Sequence, residues 1–200
     1  MARERIRQVD STLRPWILAG VLLAVALGAG AYMFFREVRP EEKPSTAGTF
    51  GTMTGISGPR LTVMLYFPSA GAEYLVPEER EVAQADDMTV QVRTVVEELI
   101  RGPVGKLTPS FPPGTRVKDV FIDGSGTAYV DFSRELQTEY PGGAWTETLT
   151  IYSLADTLCG SFPDQVKAVQ ILIDGQEVPT LAGHIDTSRP FAPNVALIRE

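Results

Sequence analysis

The side chains able to do chemistry are few and scattered. His184 is the chain's one histidine and lies in Ala182-Gly183-His184-Ile185-Asp186. A zinc site or an acid–base pair needs clustered His, Cys or carboxylate partners, so the expected role is a turn with a local Asp contact. The single cysteine, Cys159, excludes an intramolecular disulfide; within an apolar helical stretch it reads as a small buried hydrophobe. No Gly-x-Ser-x-Gly elbow, Cys–His pairing or His-Glu-x-x-His motif is present. Asp131 and Glu135 bracket Ser133. Paired carboxylates can hydrolyse glycosides, but Asp131 is expected to cap nearby backbone N–H groups or to pair with Arg134. Asp119 and Asp123 lack the ligand spacing of a calcium loop, and Glu78, Glu79 and Glu81 read as a solvated edge that discourages strand pairing. The expectation is therefore no catalytic residue, no metal ligand and no cofactor.

Aromatic residues offer the better functional opening. Tyr140, Trp145 and Tyr152 fall around the Pro141-Gly142-Gly143 break. Exposed together they would form a platform for a glycan or a partner protein; the alternative is that they pack over the sheet.

The elements that must position these groups begin at Leu61. Leu61, Val63, Leu65 and Phe67 alternate with Thr62, Met64 and Tyr66, the period-two pattern of a half-buried strand. Tyr74 to Val82 is a weaker extended segment whose Pro77 suits an edge. Asp86 or Asp87 caps a helix with apolar Val92, Val95, Val96, Leu99 and Ile100, an expected Glu97–Arg101 pair, and a stop at Gly102-Pro103. After the proline-rich loop from Leu107 to Gly114, Val117–Ile122 and Thr127–Phe132 flank Asp123-Gly124-Ser125-Gly126 as a hairpin. A second helix lines up Ile151, Ala155, Leu158 and Phe162, with Ser153, Asp156 and Thr157 elsewhere on its surface. Lys167 to Ile173 reads as the last strand. The predicted fold class is α+β: a two-layer sandwich with a mixed or antiparallel sheet and two helices on one face, β-α-β-β-α-β-like.

Ahead of this domain, Trp16 to Phe35 carries no charge and no strongly polar side chain. About twenty residues at ~1.5 Å each match the hydrocarbon thickness of a bilayer. The preceding Arg3, Arg5, Arg7 and Arg14 predict a cytoplasmic N-terminus (1–15), a single-pass anchor (16–35), a flexible linker (36–60) and an extracytoplasmic domain (61–200). A cleaved signal peptide is the competing reading, with Ala29-Gly30-Ala31 as the cleavage site; the run continuing through Tyr32-Met33-Phe34-Phe35 favours the anchor. Gly20, Ala24 and Gly28 share one helix face and could pack membrane helices together. Eight of 18 Lys and Arg and five of 25 acids precede Leu61, leaving ten bases against twenty acids in the exterior part. Such a domain repels phosphate backbones, so nucleic acid is not an expected partner.

Several blocks, in order, resemble a GerMN domain of sporulation and spore-germination proteins: LTVMLYF, YLVPEEREV, LIRGP, FPPGTRV, YVDFSREL, LADTL, and VQILIDGQEV followed by LAGHIDTSRPF. The resemblance covers nearly the whole exterior part, as a single copy behind a membrane anchor and without a lipid-bearing cysteine. It implies an exported domain of the bacterial envelope, similar to the ring-building modules of secretion and sporulation channels, with an assembly or scaffold role in place of catalysis. The expected partners are the membrane and an envelope protein or a second copy, with peptidoglycan as the alternative. A hydrolase is the least favoured reading.

Overall fold

A computed structural model of the chain describes residues 58–199. The predicted N-terminus, the anchor with its Gly20-Ala24-Gly28 face, and the linker up to residue 57 lie outside the described residues. Among the described residues no helix is long and apolar enough to cross a membrane.

Strands β1 (Arg60–Pro68) and β2 (Leu75–Ala83) form an antiparallel ribbon in register from Arg60↔Ala83 to Pro68↔Leu75. The alternation in β1 buries Val63, Leu65 and Phe67. Pro77 stands opposite Tyr66, where the backbone groups of Tyr66 point away from β2, so the missing proline N–H removes no ladder bond. Helix α1 (Met88–Arg101) is capped by Asp87, whose Oδ1 accepts from Val90 N at 3.0 Å. It buries Val92, Val95, Val96 and Leu99 and ends at Gly102, whose φ of 92° suits a residue without Cβ. The expected Glu97–Arg101 pair does not form: Arg101 bonds Glu98, and Glu97 faces Arg93 at 3.9 Å. Glu98 wins because it also receives Arg80 from β2, in a less exposed place than Glu97.

Strands β3 (Val117–Ile122) and β4 (Thr127–Phe132) form the expected hairpin, with a register shift between Val117 and Asp119. A short helix α2 (Glu135–Thr138) and the long helix α3 (Ala144–Ser161) carry the chain to β5 (Ala168–Ile173), which runs parallel to β4. A parallel neighbour requires a crossover of this kind. The two-residue β6 (Gln176–Glu177) completes a sheet in the order β3-β4-β5-β6, and a 3₁₀ turn (Val195–Leu197) lies near the C-terminus. Val120, Ala128, Val130, Phe132, Val169, Ile171 and Ile173 project from one sheet face into a core shared with α1, α3 and the β1–β2 ribbon.

The α+β class holds, but the strands form two separate sheets, not one. The reason lies at the inner edge of β1. Tyr66 N donates to Thr157 Oγ1 at 3.0 Å, and Tyr66 O accepts from Ser153 Oγ at 2.6 Å. Side chains of α3 thus take the place of a strand partner and satisfy backbone groups that burial would otherwise penalise. Consequently α3 is enclosed nearly all round: Ser153, Asp156 and Thr157, expected away from the apolar side, are buried along with Leu154, Ala155 and Leu158.

Candidate interaction site

The most buried charge in the described part is one that the sequence pattern passed over. Glu147, in the first turn of α3, is fully buried. Its Oε1 accepts from Leu181 N at 2.9 Å and Ala182 N at 3.0 Å, and its Oε2 accepts from His184 N at 3.1 Å. His184 Nδ1 lies 3.1 Å from the same oxygen. A carboxylate seated among converging backbone N–H groups is an anion in a nest, here supplied by the chain itself. The expected hydrogen bond from His184 to a local Asp is not formed: His184 bonds Glu147, and Asp186 accepts from Ser188 N at 3.0 Å.

The other candidates for chemistry serve the backbone in the same way. Asp131 Oδ1 accepts from Gly175 N at 2.7 Å, a cap from 44 residues away, while Arg134 reaches Asp174 at 3.3 Å. Of the two roles expected for Asp131, the backbone cap is the one found, though on a distant and not a local N–H, and the pair with Arg134 does not form. Glu135 pairs with Arg116 at 3.2 Å. Asp123 Oδ1 accepts from Ser125 N and Thr127 N, both at 2.9 Å, and shapes the hairpin turn. Asp119 binds its neighbour Val120 N at 2.9 Å and Arg93 loosely at 3.4 Å. Glu78, expected to be solvated, is mostly covered: it accepts from Val104 N and bonds Arg80, tying β2 to the end of α1. Cys159 is buried, and burial pushes its thiol up to about 11, the state of an inert hydrophobe.

Asp156 and Glu135 each keep one oxygen without a hydrogen-bond partner among the described residues, and Asp156 is the more deeply buried of the two. Only 2% exposed, it accepts from Asn194 N at 2.6 Å through Oδ1, whereas Oδ2 has no hydrogen-bond partner among the described residues. Burial pushes its carboxyl up to about 6. The bond to Asn194 fastens the C-terminal strap, which continues to Ile198 beside Leu75 and to Arg199, stacked over the Tyr74 ring at 5.3 Å.

The three aromatics of the expected platform have separate surroundings. Tyr140 is half-buried, its hydroxyl 2.8 Å from Thr150 Oγ1, and burial pushes it up to about 12. Trp145 is 49% exposed at the start of α3. Tyr152 packs edge-on against Phe191 at 5.9 Å. On the helix-free face of the larger sheet, Phe121 is 60% exposed and lies 6.0 Å from Tyr129. That aromatic was not singled out from sequence, because a strand ending in Phe-Ile gives no sign of which of the two faces the core.

Beside Tyr140 lies a largely apolar hollow, a cleft of about 280 Å³. One wall is the proline-rich loop, Pro109 to Pro113 around Phe111; the other is Tyr140, Pro141 and Thr146, with Glu139 the one charged residue among those lining it. The floor is polar but already paired. Thr150 Oγ1 donates to Ser110 O at 2.7 Å, so the Tyr140 hydroxyl donates to Thr150. Ser110 Oγ lies 2.6 Å from Ser153 Oγ, whose single proton goes to Tyr66 O.

Comparison places this α+β domain, whose polar side chains hold its own loops in place, in a family. Residues 64–179, more than half of the chain, match the family model Germane, described as sporulation and spore germination. The chain belongs to this family. Among solved structures, the tandem GerMN domains of the sporulation protein GerM from Bacillus subtilis match at TM-score 0.53 and 21% identity over 67% of this chain. This chain spans about half of that protein, 46% of its length. The first GerMN domain of the same protein matches at TM-score 0.51 and 23% identity, covering 67% of this chain and 96% of that one. A candidate lipoprotein of Clostridium perfringens matches at TM-score 0.49 and 25% identity, covering 71% and 93% respectively. The two GerM structures establish likeness of fold. A search of curated protein sequences returns no match.

Proposed function

We propose that this chain is a noncatalytic interaction and scaffold module of the bacterial cell envelope, held at the cytoplasmic membrane by its N-terminal apolar segment, with the domain outside and in the service of sporulation or germination. One observation carries the noncatalytic part. Each side chain that sequence reading weighed for catalysis or metal binding has a backbone, loop or ion-pair partner of its own: His184 with Glu147, Asp131 with Gly175, Glu135 with Arg116, Asp123 with its turn. Groups held in this way are poorly placed to bind and turn over a substrate. Family membership supports the process, and the apolar stretch from Trp16 to Phe35 supports the location.

Proximity labelling from the full chain in intact cells tests this reading. The expected result is recovery of one set of envelope proteins or of the chain itself. A catch dominated by cytoplasmic enzymes overturns it. The half-exposed Trp145 favours peptidoglycan as a second reading. Retention of the protein on purified sacculi, lost in Trp145→Ala, would move the function to glycan binding; indifference to sacculi leaves the protein-partner reading in place.

A further inference from the structure

The cleft between the proline-rich loop and Tyr140 has a size, a polarity and a charge that together narrow what can enter it. At about 280 Å³ it falls just below the ~300–1,000 Å³ of sites that enclose a whole small ligand, and it suits a single anchor side chain. Its walls are proline rings, Phe111 and the Tyr140 ring. The floor hydroxyls of Tyr140, Thr150 and Ser110 are already hydrogen-bonded, Ser110 to Ser153 behind it, so they are poorly available to a sugar; the polar side chains outside that network are Thr146 on the wall and Glu139 at the mouth. An apolar side chain loses nothing against such a floor and gains by leaving water. The hydrogen-bonded chain also fixes Tyr140 relative to the loop before anything binds, which lowers the cost of ordering the site. At the mouth, Glu139 is the one charged residue in the lining, on a domain carrying twice as many acids as bases.

We propose that this cleft is the docking point for a partner protein of the envelope, which inserts one apolar anchor, aromatic by preference, with an adjacent Lys or Arg facing Glu139. Large anchors set in a pocket with a charged rim are the usual source of affinity at protein interfaces. The proposal rests on the interaction-module reading above and names the surface and the partner chemistry that it uses.

Ligand-observed saturation-transfer NMR on the full chain tests it, with the dipeptide Ac-Trp-Lys-NH2 as probe. Ac-Trp-Lys-NH2 is expected to bind about threefold or more tightly than Ac-Trp-Glu-NH2, the size of a rim charge effect. Ac-Ala-Lys-NH2 should bind about tenfold or more weakly, since it lacks the anchor. Thr146→Phe, which fills the cleft, should remove most of the Ac-Trp-Lys-NH2 signal. Glu139→Gln, at an exposed position where folding is not at stake, should equalise the Lys and Glu peptides. The proposal fails if Ac-Ala-Lys-NH2 matches the tryptophan peptide, if Glu139→Gln leaves the Lys preference intact, or if chitotetraose displaces the probe. Absence of any binding also removes the cleft. Because proximity labelling does not depend on the cleft, an envelope catch that persists when these peptides fail would leave the module standing and place its contact on another face.

Discussion

Replacing Asp156 with Asn should flatten the pH dependence of the domain's stability between pH 4 and pH 7. Asp156 sits on α3 with 2% of its surface exposed, one oxygen on Asn194 N and the other without a partner among the described residues. Burial raises its carboxyl from an ordinary 3.8 to about 6. The folded state therefore holds this proton more tightly than the unfolded chain does. Between roughly pH 4 and pH 6 the native state binds more protons, so stability falls as pH rises through that window; below it the penalty vanishes, and above it the penalty is complete. A shift of about two units at ~1.4 kcal/mol each gives about 3 kcal/mol. The absolute stability of Asp156→Asn depends on how its amide is accommodated, because an unpaired N–H also costs free energy. The change in the difference between the two proteins does not. Urea unfolding of wild type and variant at pH 4, 5, 6 and 7 reads this directly. The stability of Asp156→Asn relative to wild type should rise by about 2 kcal/mol from pH 4 to pH 7, with most of the change below pH 6. Parallel stability curves would refute the reasoning and would mean that water or motion of the strap solvates the carboxylate.

Three further outcomes follow from the same packing. Glu147→Ala strips the partner from the N–H groups of Leu181, Ala182 and His184 and should cost about 3 kcal/mol or more in urea unfolding, whereas His184→Ala, which leaves Glu147 and its backbone bonds in place, should cost under about 1 kcal/mol. Thr157→Val keeps the shape of the side chain but removes the acceptor for Tyr66 N; a loss of about 1–3 kcal/mol is expected, with faster hydrogen exchange at Tyr66. Gly126→Ala forces a side chain onto a backbone with φ of 86° and brings its Cβ to 3.1 Å from Gln165 O, so a loss above about 1 kcal/mol in thermal unfolding is expected; Gly124→Ala, with open space around it, should cost less.

The elements were legible because their signals are local. The alternation of Val63, Leu65 and Phe67, the stripe of Val92, Val95, Val96 and Leu99, and the turn from Asp123 to Gly126 each carry their structure within a few residues. What escaped is long-range and polar. Helical spacing puts Thr150, Ser153 and Thr157 on one stripe, which reads as a solvent face unless one asks what backbone edge needs hydroxyls. That question needs β1, about 90 residues away. Glu147 failed to stand out for the same reason, since an acid in the first turn of a helix ordinarily answers to the helix dipole. Here it answers to a loop 34 to 37 residues further on. For the aromatics around the Gly-Gly break, position in the sequence says nothing about depth. Tyr140 walls a cleft, Trp145 faces out, and Tyr152 meets Phe191.

These misses share one cause, which bears on where function can reside. Helix α3 carries Glu147, Thr150, Ser153, Asp156 and Thr157, which together reach four different pieces of the chain: the loop at Leu181–His184, the proline-rich loop at Ser110, the edge of β1 at Tyr66 (through both Ser153 and Thr157), and the C-terminal strap at Asn194. A central helix that bonds four separate segments cannot shift without breaking several of them together. Motion within the described domain is thereby restricted to surface loops, and a site assembled by rearrangement of the core is disfavoured. What such a domain can offer a partner is preformed surface. The Tyr140 cleft belongs to that braced surface, because Ser110 in its lining is bonded to α3 through Thr150 and through Ser153, the residue that also holds β1. Stability of the core and shape of the cleft should therefore change together: Ser153→Ala, though remote from any bound anchor, should weaken docking as well as folding, while Glu139→Gln should weaken docking alone.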